Sequence, residues 1–336
     1  MLLFHIHLSL CSKKTKNYTV SGYIKESKSK EYLPMVSIYL ENGNTGTTTN
    51  DYGFYSLTLS PGKYNLVVSY VGFETKTFSL ELSENKSLNF DLVPTNNELN
   101  EVVVNSNKAI KKSHITQMSR ISLNPEDVKT LPTLLGEKDV IKTLQLLPGI
   151  QGGSEGTAGL YVRGGTPDQN LIILDEAPVY NSNHLFGMFS VFNGDALKSI
   201  DIFKGSFPAR YGGRLSSVLK INTKNGNKEK IKGKFKIGIL SSSATLEGPI
   251  GKGKTSFMFS GRRSYADILL APAINTESES QIFYFMDLNF KIHHIFNDKN
   301  KLYWSNYFGR DAFGSESNLE DTETLLHWGN LTSTLR

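Results

Sequence analysis

The chain is short of cysteine, of long apolar runs and of any strong charge bias, and each shortage removes a class of protein. A single cysteine, Cys11, among 336 residues rules out an intrachain disulfide framework and leaves the redox compartment unreadable. No uninterrupted apolar run reaches about 18 residues, so no membrane-spanning helix is expected. A spanning β-barrel escapes that test, because its strands only alternate and their hydropathy is weak. The net charge of +5 is mild and spread out. Its densest patch, the lysine-rich stretch 224–236, reads as a solvated linker and strand face rather than a nucleic-acid site. Histidines number seven, and the adjacent pair His293-His294 would point to opposite faces of a strand. With no H-E-x-x-H or H-x-x-E motif, a zinc peptidase is unsupported, and neither a metal nor any other cofactor is expected.

What is present argues for an ordered, β-rich chain. Charged residues at 21% and aromatics at 11% exclude a disordered chain, and the length allows two or three domains. Residues 2–10 form a short apolar run like the core of an export signal, but no Lys or Arg precedes it and no small-x-small site follows. Residues 1–17 are therefore read as a degenerate or clipped signal. Acylation of Cys11 is disfavoured because Leu10 stands where a small residue is needed.

Residues 18–96 read as a small β-sandwich. Strand-length runs such as Val36-Ser37-Ile38-Tyr39-Leu40 and Tyr64-Asn65-Leu66-Val67-Val68 are rich in β-branched and aromatic residues. Turn formers separate them at Asn42-Gly43-Asn44, Asn50-Asp51-Tyr52-Gly53 and Pro61-Gly62. The segment 97–110 is polar apart from Glu98-Leu99-Asn100-Glu101-Val102-Val103-Val104. A valine triplet in a flexible arm can add as an edge strand to a partner's sheet; the competing reading makes it the last strand of the sandwich.

Residues 111–227 mix elements. Val140, Ile141, Leu144 and Leu147 share a helical face that stops at Pro148-Gly149, while Leu171–Leu174 and Ile200–Phe203 read as short buried strands. Glycine-framed polar corners lie between them, at Tyr161-Val162-Arg163-Gly164-Gly165 and Phe207-Pro208-Ala209-Arg210-Tyr211-Gly212-Gly213-Arg214. From 228 to 336 the texture changes to strict alternation. Ile231, Phe235, Ile237 and Ile239 oppose Lys232, Lys234 and Lys236; Phe257 and Phe259 oppose Ser256 and Ser260. Leu288, Phe290 and Ile292 oppose Asn289, Lys291 and His293, and Leu302 and Trp304 oppose Tyr303 and Ser305. The expected connections are Ser241-Ser242, 251–253, 267–280, 297–300 and 312–323, which gives roughly six barrel-type strands of about ten residues each.

One motif points elsewhere. Gly248-Pro249-Ile250-Gly251-Lys252-Gly253-Lys254-Thr255 fits the P-loop pattern, and Leu171–Leu174 followed by Asp175-Glu176 looks like a magnesium-binding strand. A P-loop must open a helix. Here Ser256-Phe257-Met258-Phe259-Ser260 alternates as a strand, so a hairpin turn is expected and no enzymatic activity.

In their order along the chain, Leu147-Pro148-Gly149-Ile150, Tyr161–Gly165, Leu171–Glu176 and Phe207–Arg214 resemble the plug domain of TonB-dependent outer-membrane receptors. Gly46–Tyr55 with Pro61-Gly62-Lys63-Tyr64 and Val71-Gly72-Phe73 resembles the carboxypeptidase-regulatory-like module found ahead of plugs in Bacteroidetes-type receptors, and 98–104 resembles a TonB box. The resemblance implies a transthyretin-like sandwich, an α+β plug and the first strands of a transmembrane barrel in the cell outer membrane, with the N-terminal domain periplasmic. It implies energy-coupled uptake, with a TonB-type transducer pairing with 98–104, outer-membrane lipid around the wall, and a surface lipoprotein as a candidate partner. It also implies that Arg163, Arg210 and Arg214 lock the plug to wall acids, while Asp175 and Glu176 are read as pairing with solvent or wall. Asp168, Gln169 and Asn170, with Tyr180 and Asn181, are candidates to face an external ligand whose identity the sequence does not give. A plug is housed by about 22 strands, so a longer receptor's N-terminal part, or a broken gene product, is expected. A secreted β-rich adhesion or glycan-binding protein is the alternative from another class.

Overall fold

A computed structural model describes residues 17–41, 45–95, 120–130, 137, 139–153, 158–251, 253–265, 267–268, 272, 279–297, 300–317 and 322–336. The export-signal run with Cys11, the Asn42–Asn44 turn, the arm 98–104 and most of 267–280 lie outside the described residues. The chain divides into two compact units, one formed mainly by 32–92 and the other mainly by 117–336.

The first unit is a sandwich of two four-stranded sheets. Its strands are β1 (Tyr18–Glu26), β2 (Ser37–Leu40), β3 (Gly46–Thr48), β4 (Phe54–Leu59), β5 (Gly62–Ser69), β6 (Lys76–Leu82), β7 (Lys86–Ser87) and β8 (Phe90–Leu92). One sheet orders β4-β1-β7 with β8 also on β1; the other orders β3-β2-β5-β6. Strand β4 buries Tyr55, Leu57 and Leu59 and exposes Ser56 and Thr58, the period-2 signature of a half-buried strand. Those side chains meet Ile38, Leu66, Val68, Leu80 and Leu82 of the other sheet in one apolar core. The turn before β4 is fixed by Asn50, whose Oδ1 accepts from the Tyr52 and Phe54 amides at 3.0 Å each. Gly53 follows at φ +72, where a Cβ would come 2.8 Å from the Ile24 carbonyl oxygen.

In the second unit, residues 120–223 build a compact α+β body. Its elements are β9 (Arg120–Leu123), α1 (Pro125–Thr130), α2 (Val140–Gln145), β10 (Ile150–Gln151), β11 (Tyr161–Val162), β12 (Asn170–Leu174), β13 (Ala177–Pro178), β14 (Asn183–His184), β15 (Phe189–Ser190), β16 (Leu197–Phe203) and β17 (Ser217–Thr223). Helix α2 starts where Asp139 caps it, Oδ1 accepting from the Ile141 and Lys142 amides at 2.8 and 3.1 Å. It buries Val140, Ile141 and Leu144, with Leu147 packed beside them. The main sheet orders β13-β12-β17-β16-β9, with β12 and β17 parallel. The β12–β13 hairpin turns through Asp175 and Glu176, both left-handed at φ +47 and +73. Two-residue turns of that hand favour Asn-Gly, so an Asp-Glu pair there carries backbone strain.

The remaining residues form a six-stranded antiparallel meander: β18 (Lys232–Ile237), β19 (Ser241–Ile250), β20 (Thr255–Ser264), β21 (Glu279–Ile295), β22 (Lys301–Ser317) and β23 (Thr322–Leu335). The expected count of six strands stands, but the lengths and two connections differ. Strands β21 and β22 each run 17 residues, well beyond ten. Ser241 and Ser242 lie inside β19, paired with Ser264 and Arg263, and the first turn is 238–240. Residues 312–317 continue β22 rather than opening a loop and pair with 322–327 of β23; Asp311 and Ala312 are both buried and Phe313 is exposed, so the burial alternation of Tyr303–Asp311 breaks there under a small, polar composition. The Gly251–Gly253 segment is a hairpin turn with both glycines left-handed, at φ +68 and +77, and β20 follows it as a strand. No helix opens there to hold phosphate.

The faces of this meander are inverted relative to a soluble sheet. The buried face is polar: Ser256, Ser260 and His293 are each 0% exposed, and Lys291 is 2% exposed. The open face is apolar: Phe235 is 68% exposed, Ile237 75% and Leu331 77%. Apolar residues facing out and polar residues facing in are the arrangement of a barrel wall, here with the α+β body on its polar side.

Candidate functional site

The polar face of the wall meets the α+β body at three anchors, each joining residues far apart in sequence. The first is the strained β12–β13 turn. Asp175 Oδ1 accepts from Lys291 Nζ at 2.8 Å and from the Thr223 amide at 3.1 Å. Its Oδ2 accepts from the Ser305 hydroxyl at 2.5 Å and from the Thr223 hydroxyl. Both ions of the pair are 2% exposed. Burial alone would raise the Asp175 carboxyl, but the adjacent ammonium and two hydroxyls outweigh it and hold it below the usual range. Beside it, Glu176 pairs with Lys220 at 3.0 Å and with Arg336 at 3.5 Å.

The second anchor is Asp195, which Lys234 reaches at 2.9 Å and Lys236 also clasps. Burial works to raise its carboxyl, and the two ammoniums pull it down to about 2. The lysine-rich stretch thus supplies two of its lysines to the inner body, because β18 turns its lysine face inward. Neighbouring Asn193 donates from Nδ2 to Ser260 Oγ at 2.9 Å.

The third anchor is the most connected. His184, 1% exposed, stands between two wall carboxylates, with Nε2 2.7 Å from Asp287 Oδ1 and Nδ1 2.8 Å from Asp311 Oδ2. Asp311 Oδ1 accepts from the Leu185 amide at 2.8 Å. Asp287 also accepts from Arg262 Nε at 2.8 Å and Nη2 at 2.5 Å, and from the Tyr307 hydroxyl at 2.7 Å. Arg262 continues to Glu137 Oε1 at 2.6 Å and to the Ser190 carbonyl at 2.8 Å. The His184 ring stacks on Phe285 at 4.5 Å. Burial opposes its charge, but the facing carboxylates win and raise the imidazole above its ordinary value. Tyr307 reaches from the wall into the apolar core of the inner body.

The arginines sit elsewhere. Arg163, Arg210 and Arg214 are all exposed, and among the described residues none pairs with a wall acid. Arg214 Nη1 donates to the Gly213 carbonyl at 2.8 Å, Arg210 lies 4.8 Å over the Tyr211 ring, and Arg163 is left-handed beside Gly205. At Asp175, Asp195 and Glu137 acids of the inner body meet cations of the wall, whereas at His184 an imidazole of the inner body meets two wall acids. Of the ligand-facing candidates, Asp168, Asn170, Tyr180 and Asn181 line one cavity of about 290 Å³ with Arg214. Gln169 closes the short 3-10 turn beside it. Asn170 is committed to the fold, donating to the Leu160 carbonyl at 2.7 Å and accepting from Ser217 at 2.7 Å. Asn181 is tied to the wall, its carbonyl accepting from Asn330 Nδ2 at 2.6 Å.

No sequence expectation covers Glu137, Asp195, Arg262, Asp287 or Asp311, and His184, the end of the polar loop Tyr180–His184 expected to face a ligand, is tied to the wall instead. A signal existed for three of them: Arg262, Asp287 and Asp311 fall in phase with the inward residues Ser260, Asn289 and Ser305 on their strands. His293 and His294 do point to opposite faces: His293 stacks on Tyr303 at 4.4 Å, while His294 Nδ1 sits 2.7 Å from Thr255 Oγ1. Among the described residues no cluster of His, Cys, Asp and Glu is arranged to hold a metal ion.

Two family models match the chain. One, described as a CarboxypepD_reg-like domain, matches residues 20–104, and the other, described as the TonB-dependent Receptor Plug Domain, matches 115–217. The chain belongs to the TonB-dependent receptors. In this receptor the α+β body is the plug and the meander is barrel wall. Two curated relatives from Formosa agariphila are similar. TonB-dependent receptor P3 is 24% identical over 91% of this chain and 30% of its own length; TonB-dependent receptor P39 is 27% identical over 58% of this chain and 18% of its own. The chain therefore spans less than a third of the curated relatives it matches. Similar solved structures include the siderophore receptor PirA from Acinetobacter baumannii, at 18% identity, TM-score 0.41 and coverage of 59% of this chain and 32% of that one. Another is the outer membrane transporter YddB from Escherichia coli, at 11% identity, TM-score 0.43 and coverage of 65% and 39%.

Proposed function

We propose that the chain supplies the periplasmic sandwich, the plug and the first wall strands of an outer-membrane transporter that takes up a ligand by energy coupling and performs no bond chemistry. The observation that carries this reading is the inverted wall: an apolar open face and a polar face bound to a plug through buried ion pairs. A soluble adhesion or glycan-binding protein would have no use for such a wall. The cavity lined by Asp168, Tyr180, Asn181 and Arg214 offers both charges, amides and an exposed aromatic ring to a polar ligand. Arg163, Arg210 and Arg214 are left to meet wall strands beyond the six described, or a ligand. Outer-membrane lipid surrounds the wall, a surface lipoprotein is a candidate partner, and the arm Glu98–Val104 is the contact for a TonB-type transducer in the periplasm.

The arm works by adding a strand to the transducer's sheet, so its backbone amides matter more than its side chains. Val103→Pro removes one donor and fixes φ, and is expected to lower affinity for the purified periplasmic domain of the cognate TonB protein at least tenfold. Titration calorimetry measures this without a transported ligand. Unchanged binding would place the contact elsewhere. Release of the protein from membranes by salt alone, without detergent, would favour the soluble alternative.

A further inference from the structure

Both ring nitrogens of His184 face carboxylate oxygens, at 2.7 and 2.8 Å. A neutral imidazole has one N–H and one lone pair. In that state one nitrogen would oppose a carboxylate lone pair across less than 3 Å, in a site closed to water. Only the doubly protonated ring satisfies both partners. The next two residues, Leu185 and Phe186, are left-handed at φ +48 and +56, a conformation that side-chain-bearing residues disfavour. What holds them there is the wall: Asp311 accepts from the Leu185 amide, and the Phe186 ring packs 5.2 Å from Phe313 and 5.0 Å from Trp328.

We propose that His184 is a proton-dependent latch, which seats the strained 184–186 tip of the plug in the wall while the ring carries both protons and lets it spring out when one is lost. This rests on reading the inner body as a plug that must leave its seat. The groups facing the latch come from every element packed on it. From the wall come Asp287, Asp311, the Arg262 guanidinium, the Tyr307 hydroxyl and His327, whose Nδ1 is 3.4 Å from the Asp311 carbonyl. From the plug come Glu137 on Arg262, Asp139 accepting from the Ser190 amide at 2.6 Å, and Lys142 over the Phe189 ring. The two carboxylates in direct contact hold the ring charged beyond its ordinary value. Such a group stabilises the seated state fully below about pH 6.5, the unfolded histidine value, and loses that contribution as pH rises through the higher seated value.

The test is hydrogen–deuterium exchange of the segment 183–190 in the detergent-solubilised protein from pH 5 to 10, corrected for intrinsic rates. Protection is expected to fall at least tenfold on the alkaline side in the wild type, and to stay level across the range in His184→Gln. Asp311→Asn, which leaves one carboxylate on the ring, is expected to move the midpoint to lower pH. Level protection in the wild type, or the same fall in His184→Gln, overturns the latch. The readout needs neither transducer nor ligand, so its failure leaves the transport reading standing, and failed TonB binding leaves the latch standing.

Discussion

Asp287→Ala is expected to unseat the plug while leaving the wall strands paired. Asp287 accepts four hydrogen bonds, two from Arg262 and one each from His184 and Tyr307, in a site closed to water. Removing one member of a buried charge cluster strands the others, at a cost of about 3–5 kcal/mol. Arg262 keeps Glu137 and His184 keeps Asp311, so the loss falls on the junction rather than on either body. Limited proteolysis checks this: cleavage within 183–190 should accelerate by at least a hundredfold, with the β20–β22 pairing intact by infrared amide bands. Equal protection in wild type and variant would mean that Asp287 is not a fastening point.

Lys291→Met has a comparable effect with a distinct pH signature. The substitution leaves Asp175 buried without its counter-ion, holding only the Ser305 and Thr223 contacts, and about 3–5 kcal/mol is expected to be lost near neutrality. In the wild type the Asp175 carboxyl lies below its ordinary range, so its contribution is present above about pH 3.9 and is lost as pH falls through the lower folded value. In the variant, burial is opposed only by the Ser305 and Thr223 donors, and the carboxyl rises relative to the wild type. The penalty is then full above that raised value and fades as pH falls and the acid takes up its proton. Thermal midpoints in detergent should therefore differ widely at pH 8 and converge toward pH 4. A gap that does not change with pH would contradict the pairing.

The strands of the wall were legible because each one alternates. Phe257 and Phe259 against Ser256 and Ser260 can be read without knowing any neighbour, and the same pattern carries β18, β21 and the start of β22. Residues 312–317 were hidden because small and polar residues there blur the apolar half of the pattern. The pairings at the anchors were hidden for a different reason. Asp175 meets Lys291 across 116 positions and His184 meets Asp311 across 127, and no local period links such residues. The glycine corners reveal where the chain turns, so the arginines beside them drew notice. The residues that fasten the plug lie in plainer sequence, His184 within the polar run Tyr180–His184 and Asp195 after Asn193-Gly194.

The chain's two tryptophans test the central claim, a plug seated inside a lipid-facing wall. Trp304 is 42% exposed on the open face, while Trp328 sits opposite Asp311 in the strand register and packs on Phe186 of the plug. In single-tryptophan variants reconstituted with brominated lipids, Trp304 fluorescence should be strongly quenched and Trp328 fluorescence nearly untouched. Equal quenching of both, or quenching of Trp328 alone, would contradict the account.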